Sequence, residues 1–469
     1  MTLPALNFSG RDFTTEFERL LVLLRQQLPE YTDLNHSDMG VLLIGLLARH
    51  VDQEHSYIDR IAAETFVNYA KFKKSLISLG TLVGYVPVSA SPASTRLLLT
   101  RINGITGAIE IPKYSEFTRS DSLVYLTVED TSIAAGVDSV EVDAIQGVVI
   151  ERTFTASDWV TNDWTGRTKI ALTTNVVNST VEVWSGEAPT YWTYTDSFWR
   201  ASETDYLFSL ELDGDTDTTY LCFSDGTQGV AVPDPVYVRC VKTDAAEGNG
   251  GSATVTSITE VTLYEKITCT NTEICSGGAA TETAESIRQN IPSITRTQRR
   301  AVTNEDYLAR VSVIPGVLHC AVVDRNDSPV WPHNYIALYV VPAGGGTMTT
   351  YLRNLILDDL TMWGHLGSWE GRYLLFDAIE QAVNISVRIG VLVGHNTTTV
   401  SNAVIAAVNT FFDPANQEIG QDVTYSALHT AIDAVTGVSW SDIITPAEDV
   451  SVANGYLPVA GSVSVVISS

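Results

Sequence analysis

The sequence is poor in charge. Only 18% of its 469 residues are Asp, Glu, Lys or Arg, below the usual quarter of a globular chain. The charge it has is one-sided, with 28 basic against 55 acidic groups and a net −27. Nowhere do Lys and Arg cluster densely enough to displace counterions, so nonspecific nucleic-acid binding is excluded. One local group of four arginines is Arg288, Arg296, Arg299 and Arg300. It lies among Thr and Gln and reads as an ion-pairing segment at a domain border. A run of about 18 apolar residues is missing, so no membrane span is expected. Residues 1–15 lack the basic start and apolar core of a signal peptide. There are five cysteines. An odd number without a secretory leader favours free thiols in a reducing cell, and Cys269 and Cys275 do not have zinc-knuckle spacing.

Catalytic signatures are also missing. There is no G-x-S-x-G, no H-E-x-x-H and no P-loop. His50 and His55 stand five apart and do not share a helix face well enough to chelate. A glycosidase pair could hide among the many Asp and Glu, but nothing singles out two of them. The expectation is a protein that is not an enzyme, with no catalytic residue, no cofactor and no metal.

What is present is a folded composition, 45% hydrophobic and 9% aromatic, long enough for two to four domains. Low charge with abundant Thr and Val suggests extensive β-structure and surfaces covered by other subunits. The first ninety residues are the exception. Phe13, Phe17, Leu20, Leu24 and Leu28 recur at helical spacing after a capping Asp12, and Pro29 stops the run. Asp38 opens a second helix from Met39 to about Ala70, with Val41, Leu42, Leu46, Leu47, Val51, Ile58 and Ile61 on a broad face. A third spans Lys71 to Val83 and ends at Gly84. Such wide apolar faces need partners, either each other in a self-contained three-helix domain or a bundle with other subunits. The residues expected to pack that bundle are Phe17, Leu24, Leu42, Leu46 and Leu47.

Pro87 and Ser89–Ser94 read as a linker. Strands follow at Arg96–Arg101, Gly107–Ile111, Leu123–Glu129, Ser139–Ile150, Lys169–Thr173, Thr180–Trp184 and Tyr206–Leu212. Trp159, Trp164, Trp184, Trp192 and Trp199 crowd one region and are either core or a sugar- or receptor-binding surface. Asp213, Asp215 and Asp217 imitate a calcium loop, but Thr218 and Ser224 stand where Gly and Glu are needed, so the stretch reads as a hairpin turn. Asp225-Gly226 makes a turn, Tyr237–Lys242 is a strand, and 247–251 reads as a flexible turn closing the β region. From Ala280 the pattern becomes α/β. It has helices at Ala284–Asn290, from a capping box at Thr303 to about Val313, at 349–363, Ser401–Phe412 and Gln421–Val435. Strands fall at Val317–Asp324, Tyr335–Val341, Ala382–Val393, Val438–Ile443 and Gly461–Ile467. The expected fold is α+β multidomain: an N-terminal helical bundle segment over 1–88, a β-rich middle over 89–280, and small α/β sandwich modules over 281–376 and 377–469.

An ordered set of motifs resembles the baseplate J-like family, the wedge components of contractile phage tails and related injection machines. Tyr31-Thr-Asp33 to Gly40 leads into Leu46-Leu47-Ala48. Glu64-Thr-Phe66 with Ala70 follows, then Leu79-Gly80, Gly84-Tyr85-Val-Pro87 and Ala90 to Ala93. Phe223-Ser-Asp225-Gly226, Gly229, Pro233 and Gly248-Asn249 are similar to the family's turn region, with Ser224 where glycine is usual. Arg300 to Thr303, Glu305 to Tyr307, Pro315 to Val317, Ile419-Gly420 through Leu428 and Gly437-Val438 complete the series. The resemblance implies a structural role without cofactor. The helical region would join a core bundle with a second copy and other baseplate wedge proteins, among them a sheath-initiator-like protein. Neighbouring wedges, the hub and fibre-network proteins would be further partners, in a virion baseplate assembled in the host cytoplasm. A receptor-binding or tail-spike protein recognising host glycan is the alternative.

Overall fold

The computed structural model describes residues 8–35, 37–161, 166–186, 189–199, 201–259, 263, 265–298, 300–325, 327, 335–363 and 373–468. The chain divides into two compact units, Met1–Pro87 with Thr283–Pro292, and Val88–Glu282 with Ser293–Ser469. The fold is mixed α+β with several separate cores.

The first unit is helical. Helix α1 (Phe13–Gln27) starts at Asp12, whose carboxylate accepts from the Thr15 N–H at 2.9 Å. Helix α2 (Met39–Ala63) starts at Asp38, which accepts from the Gly40 and Val41 N–H groups at 2.7 and 3.4 Å. Both satisfy donors that a helix start leaves free. Helix α2 stops at Ala63 rather than near Ala70. The cause is Glu64, whose carboxylate accepts from the N–H groups of Lys71 and Phe72 at 2.9 and 3.3 Å. A helix continued to Ala70 would hold those groups roughly 10 Å away, at about 1.5 Å rise per residue. The reversal instead opens α3 (Lys73–Leu82). Helix α4 (Ala284–Thr297) runs past Pro292 and is twice the expected Ala284–Asn290. Ile287, Ile291 and Ile294 are all buried. At about 2 kcal/mol each, their burial outweighs the roughly 3 kcal/mol cost of a proline inside a helix. Arg288 donates to the Ala70 carbonyl at 2.7 Å, and Ile291 packs against Gly80, where a Cβ would sit 3.4 Å from it.

The second unit begins with an antiparallel sheet in the order Val255–Ile258, Glu116–Arg119, Val124–Thr127, Ser139–Gln146, Ser94–Arg101, Ile267–Asn271. Its two edges meet through Asn271, whose side chain accepts from the Thr254 and Val255 N–H groups at 2.8 and 2.9 Å. The sheet is thereby closed into a barrel. Leu97, Leu99, Phe117, Tyr125, Val142 and Ile267 belong to its core. A β-sandwich is inserted into this barrel. The expected strand Ser139–Ile150 breaks at Gly147 (φ +156°), where any Cβ would collide with Val241. Gln146 clamps the exit to the return. Its Oε1 accepts from Thr243 Oγ1 at 2.7 Å and the Asp244 N–H at 2.9 Å.

The sandwich pairs a sheet ordered Thr190–Tyr191, Glu182–Ser185, Val236–Lys242, Val148–Phe154 with one ordered Thr193–Tyr194, Leu207–Leu212, Thr218–Phe223, Thr168–Thr174, Trp159–Thr161. Residues 247–251 do not close the β region, because two barrel strands follow them. Nor is that turn free. Arg119 donates to the carbonyls of Gly248 at 2.7 Å, Asn249 at 3.1 Å and Glu247 at 2.9 Å.

The segment Ser89–Ser94 is not a linker. Ser91 and Ala279 exchange both backbone hydrogen bonds, at 2.9 and 3.1 Å, and Ser94 and Ser276 do the same at 2.8 and 3.0 Å. Ser89, Ala90, Ser91, Ala93 and Ser94 are all buried. Small side chains that suggest flexibility in sequence here permit close approach of backbones.

Two α/β modules complete the unit. Helix α5 (Asn304–Val311) opens on a capping box in which Thr303 and Asp306 bond each other's backbone N–H, at 3.2 and 3.0 Å. With α6 (Thr350–Trp363) it packs on strands Val317–Val323, Ile336–Pro342 and Tyr373–Asp377. The last of these was not anticipated. In the final module Ile379–Val391 lies between Val438–Thr445 and Tyr456–Ser468. Its alternate residues Val383, Ile385, Val387 and Ile389 face α7 (Thr397–Phe411) and α8 (Tyr425–Asp433), the period-two pattern of a strand with one covered face.

Candidate interaction surfaces

Helix α2 carries two faces. Val41 and Ala48 are buried inside the first unit, while Leu42, Leu46 and Leu47 are 52, 67 and 51% exposed. Met39 and Leu43, which the sequence reading passed over, are exposed beside them. Positions 39, 42, 43, 46 and 47 recur at helical spacing and form one apolar stripe. Ile58 and Ile61 add exposed apolar area further along the helix. Phe17 and Leu24 are half-buried. The Phe17 ring stacks on Phe13 and lies against Gly45, so part of its surface is already used within the chain. The five residues selected from sequence are therefore two partly internal contacts and three exposed ones.

The described tryptophans do not form a common platform. Trp192 is core, edge-on to Phe223 at 5.0 Å, and its indole N–H donates to Ser185 Oγ at 3.0 Å. Trp159 packs partly against the same core. Trp184 stacks on Tyr237 at 5.9 Å with Tyr191 near it, and the Arg239 guanidinium lies 5.6 Å from its ring. Trp199 is exposed. Trp164 lies outside the described residues. Sugar stacking needs open ring faces, and those of Trp184 and Trp192 are taken.

The remaining candidates resolve as structure. Asp213 accepts from the Asp215 N–H and Thr216 Oγ1 at 3.2 and 2.8 Å, inside the hairpin turn before Thr218–Phe223. Among the described residues, no group of three His, Cys, Asp or Glu could hold a metal ion. Arg288 pairs with Glu285, whereas Arg296 and Arg300 form no ion pair among the described residues. Arg299 lies outside them. Among the described residues the ion-pairing reading therefore holds for Arg288 only. The five cysteines are free. Burial pushes the thiols of Cys240 and Cys269 up to about 11 and about 12, so neither is a ready nucleophile.

One cluster was invisible in sequence. Ser441 Oγ lies 3.4 Å from His429 Nε2, while His429 Nδ1 lies 3.1 Å from Asp433. The Ser441 hydroxyl itself donates to Asp433 at 2.5 Å. The three groups close on one another, so no base is aimed at a free hydroxyl, as nucleophilic catalysis requires.

Residues 383–466 match the family model described as the baseplate J-like protein C-terminal domain. These are the strands and helices of the final module. Among solved structures, the 6-fold symmetrised cryo-EM structure of the anti-feeding prophage baseplate aligns over 98% of this chain and 95% of that chain. The identity is 14% and the TM-score 0.36. No curated protein matches the sequence. The final module is therefore similar to the C-terminal domain of baseplate J-like proteins.

Proposed function

We propose that the chain is a structural wedge component of a contractile-tail baseplate, acting by assembly and not by a chemical step. The observation that carries this is the exposed α2 stripe of Met39, Leu42, Leu43, Leu46 and Leu47. Burying such side chains stabilises an interface by about 1.5–3 kcal/mol each, and apolar stripes of this kind mark interaction sites. The occupant would be a bundle formed with a second copy and other wedge proteins, including a sheath-initiator-like chain. Neighbouring wedges, hub and fibre-network proteins would contact the rest of the chain. The particle is a virion or injection device whose baseplate is built in the host cytoplasm. Among the described residues no helix is long and apolar enough to cross a membrane, and the reading calls for no cofactor and no nucleic acid. Triggering of sheath contraction would lie in bistable interfaces.

Size-exclusion chromatography with light scattering tests this, on the chain alone and co-expressed with neighbouring tail proteins. The expected result is a monomer or loose dimer that becomes a defined hetero-complex. Leu46→Asp with Leu47→Asp should abolish the complex while circular dichroism of the chain stays unchanged. A tight homotrimer indifferent to those proteins would overturn the wedge reading in favour of a glycan receptor.

A further inference from the structure

The two sheets of the inserted sandwich do not close fully along one edge. Between them lies a cleft of about 140 Å³, lined by Ile150, Arg152, Phe154, Leu172, Val238 and Cys240, with Thr173 beside them. Its construction follows from register. Ile150, Arg152 and Phe154 alternate along an edge strand and share one face. Cys240 and Val238 stand opposite Ile150 and Arg152 on the neighbouring strand. Leu172 comes from the facing sheet, where it packs against the same core as Phe154 and Val238.

The lining is apolar except at Arg152 and Thr173. Phe154, Val238 and Cys240 are buried, and burial holds the Cys240 thiol at about 11, so it is a neutral wall. Arg152 is exposed, with its guanidinium 5.3 Å from the Phe154 ring centre. Among the described residues it makes no ion pair. Its neighbour Arg239 is paired with both Glu151 and Glu182. A cation with no ion-pair partner among the described residues thus stands at the mouth of a largely apolar slot, in a chain that carries a net −27.

We infer that this cleft binds a small apolar carboxylic acid, its body between the sheets and its carboxylate on Arg152. The size sets the body: an apolar cavity of about 150 Å³ accepts a benzene ring. The single cation selects a monoanion and gives a phosphate too few partners, since a phosphate needs several donors. The site needs no metal and no thiol chemistry. It is independent of the wedge reading.

A competing role for Arg152 is protection of the edge strand, since an inward-pointing charge discourages pairing with other strands. Benzoate and benzyl alcohol separate the two. On the intact chain, saturation-transfer NMR and calorimetry should show saturable benzoate binding. Benzyl alcohol should bind about tenfold more weakly, the worth of one charge-assisted hydrogen bond. Arg152→Gln, at an exposed position, should remove that preference and leave benzyl alcohol binding unchanged. Leu172→Trp should fill the slot and block both ligands. If the Trp variant does not fold, the Gln variant still decides. Absence of saturable benzoate binding overturns the inference, as does a benzoate affinity unchanged by Arg152→Gln. In either case Arg152 is an edge guard only.

Discussion

Tyr31, Asp38 and Gly40 act as one cap. The Tyr31 hydroxyl donates to the Asp38 carboxylate, which in turn accepts from the first N–H groups of α2. A Cβ at Gly40 would collide with the Tyr31 hydroxyl. Gly40→Ala should therefore force the tyrosine off the aspartate and cost about 1–2 kcal/mol, the range of a lost cap. In a Tyr31→Phe background the same change should cost less, and urea unfolding of the four proteins measures the coupling. Equal costs in both backgrounds would show that the cap does not depend on Tyr31. Asp38 was readable from sequence as a cap; its support by Tyr31, seven positions earlier, was not, because no local pattern links the two. Glu273 gives a pH prediction. Burial raises its carboxyl above the ordinary value of 4.5; Arg96 pulls it down, while Asp143, Glu141 and Asp377 push it up. Among the described residues its Oε2 is buried without a hydrogen-bond partner. Because the folded value is the higher one, ionised Glu273 opposes folding. Stability is gained as pH falls from neutral through the raised value, and the gain is complete below about 4.5. Glu273→Gln should accordingly raise Tm at pH 7.5, by an amount that shrinks towards pH 4.5. A lower Tm at pH 7.5 would mean that attraction to Arg96 dominates.

At the scale of elements, local signals were read well and non-local ones were not. The caps at Asp12, Asp38 and Thr303 and the alternation of Ile379–Val391 lie within a few residues of what they control. The end of α2 depends on Glu64 reaching seven and eight residues ahead. The passage of α4 through Pro292 depends on where Ile287 and Ile291 are buried. The break at Gly147 depends on Val241, nearly a hundred residues away. In each case tertiary packing overrode a local propensity. The α2 stripe shows the same limit for the candidate site. Periodicity identified Leu42, Leu46 and Leu47 as apolar and on one side. Only the fold separates them from Val41 and Ala48, which α2 spends on its own unit.

At the scale of the whole molecule, insertion of the sandwich into the barrel could not be read from sequence, because strand order is set by pairings across 120 residues and more. Leu97 lies opposite Asn271 in the barrel. The same distance hides the nature of Ser89–Ser94. A linker and a buried strand of small residues look alike until their partners at Ser276 and Ala279 are known. The difference bears on mechanism, because a flexible 89–94 would be a natural hinge and a paired one is not. Glycines reinforce the pairing. A Cβ at Gly316 would come 2.8 Å from the Gly277 carbonyl, and one at Gly278 would collide with that of Ala245. These segments therefore pack backbone against backbone, and interiors of that density do not deform gradually. Native-state hydrogen exchange gives the test. The amides of Ser91, Ser94, Ser276 and Ala279 should be protected together with the barrel amides of Leu97 and Leu99, exchanging only when the barrel opens. Substituting Ser91 by Pro removes the N–H that meets the Ala279 carbonyl and should lower protection at Ser94 and Ser276 as well. Rapid exchange at Ser91 and Ser94 in the unmodified chain, with the barrel still protected, would restore the hinge to this segment. Slow exchange would mean that residues 89–94 and the barrel open as one body.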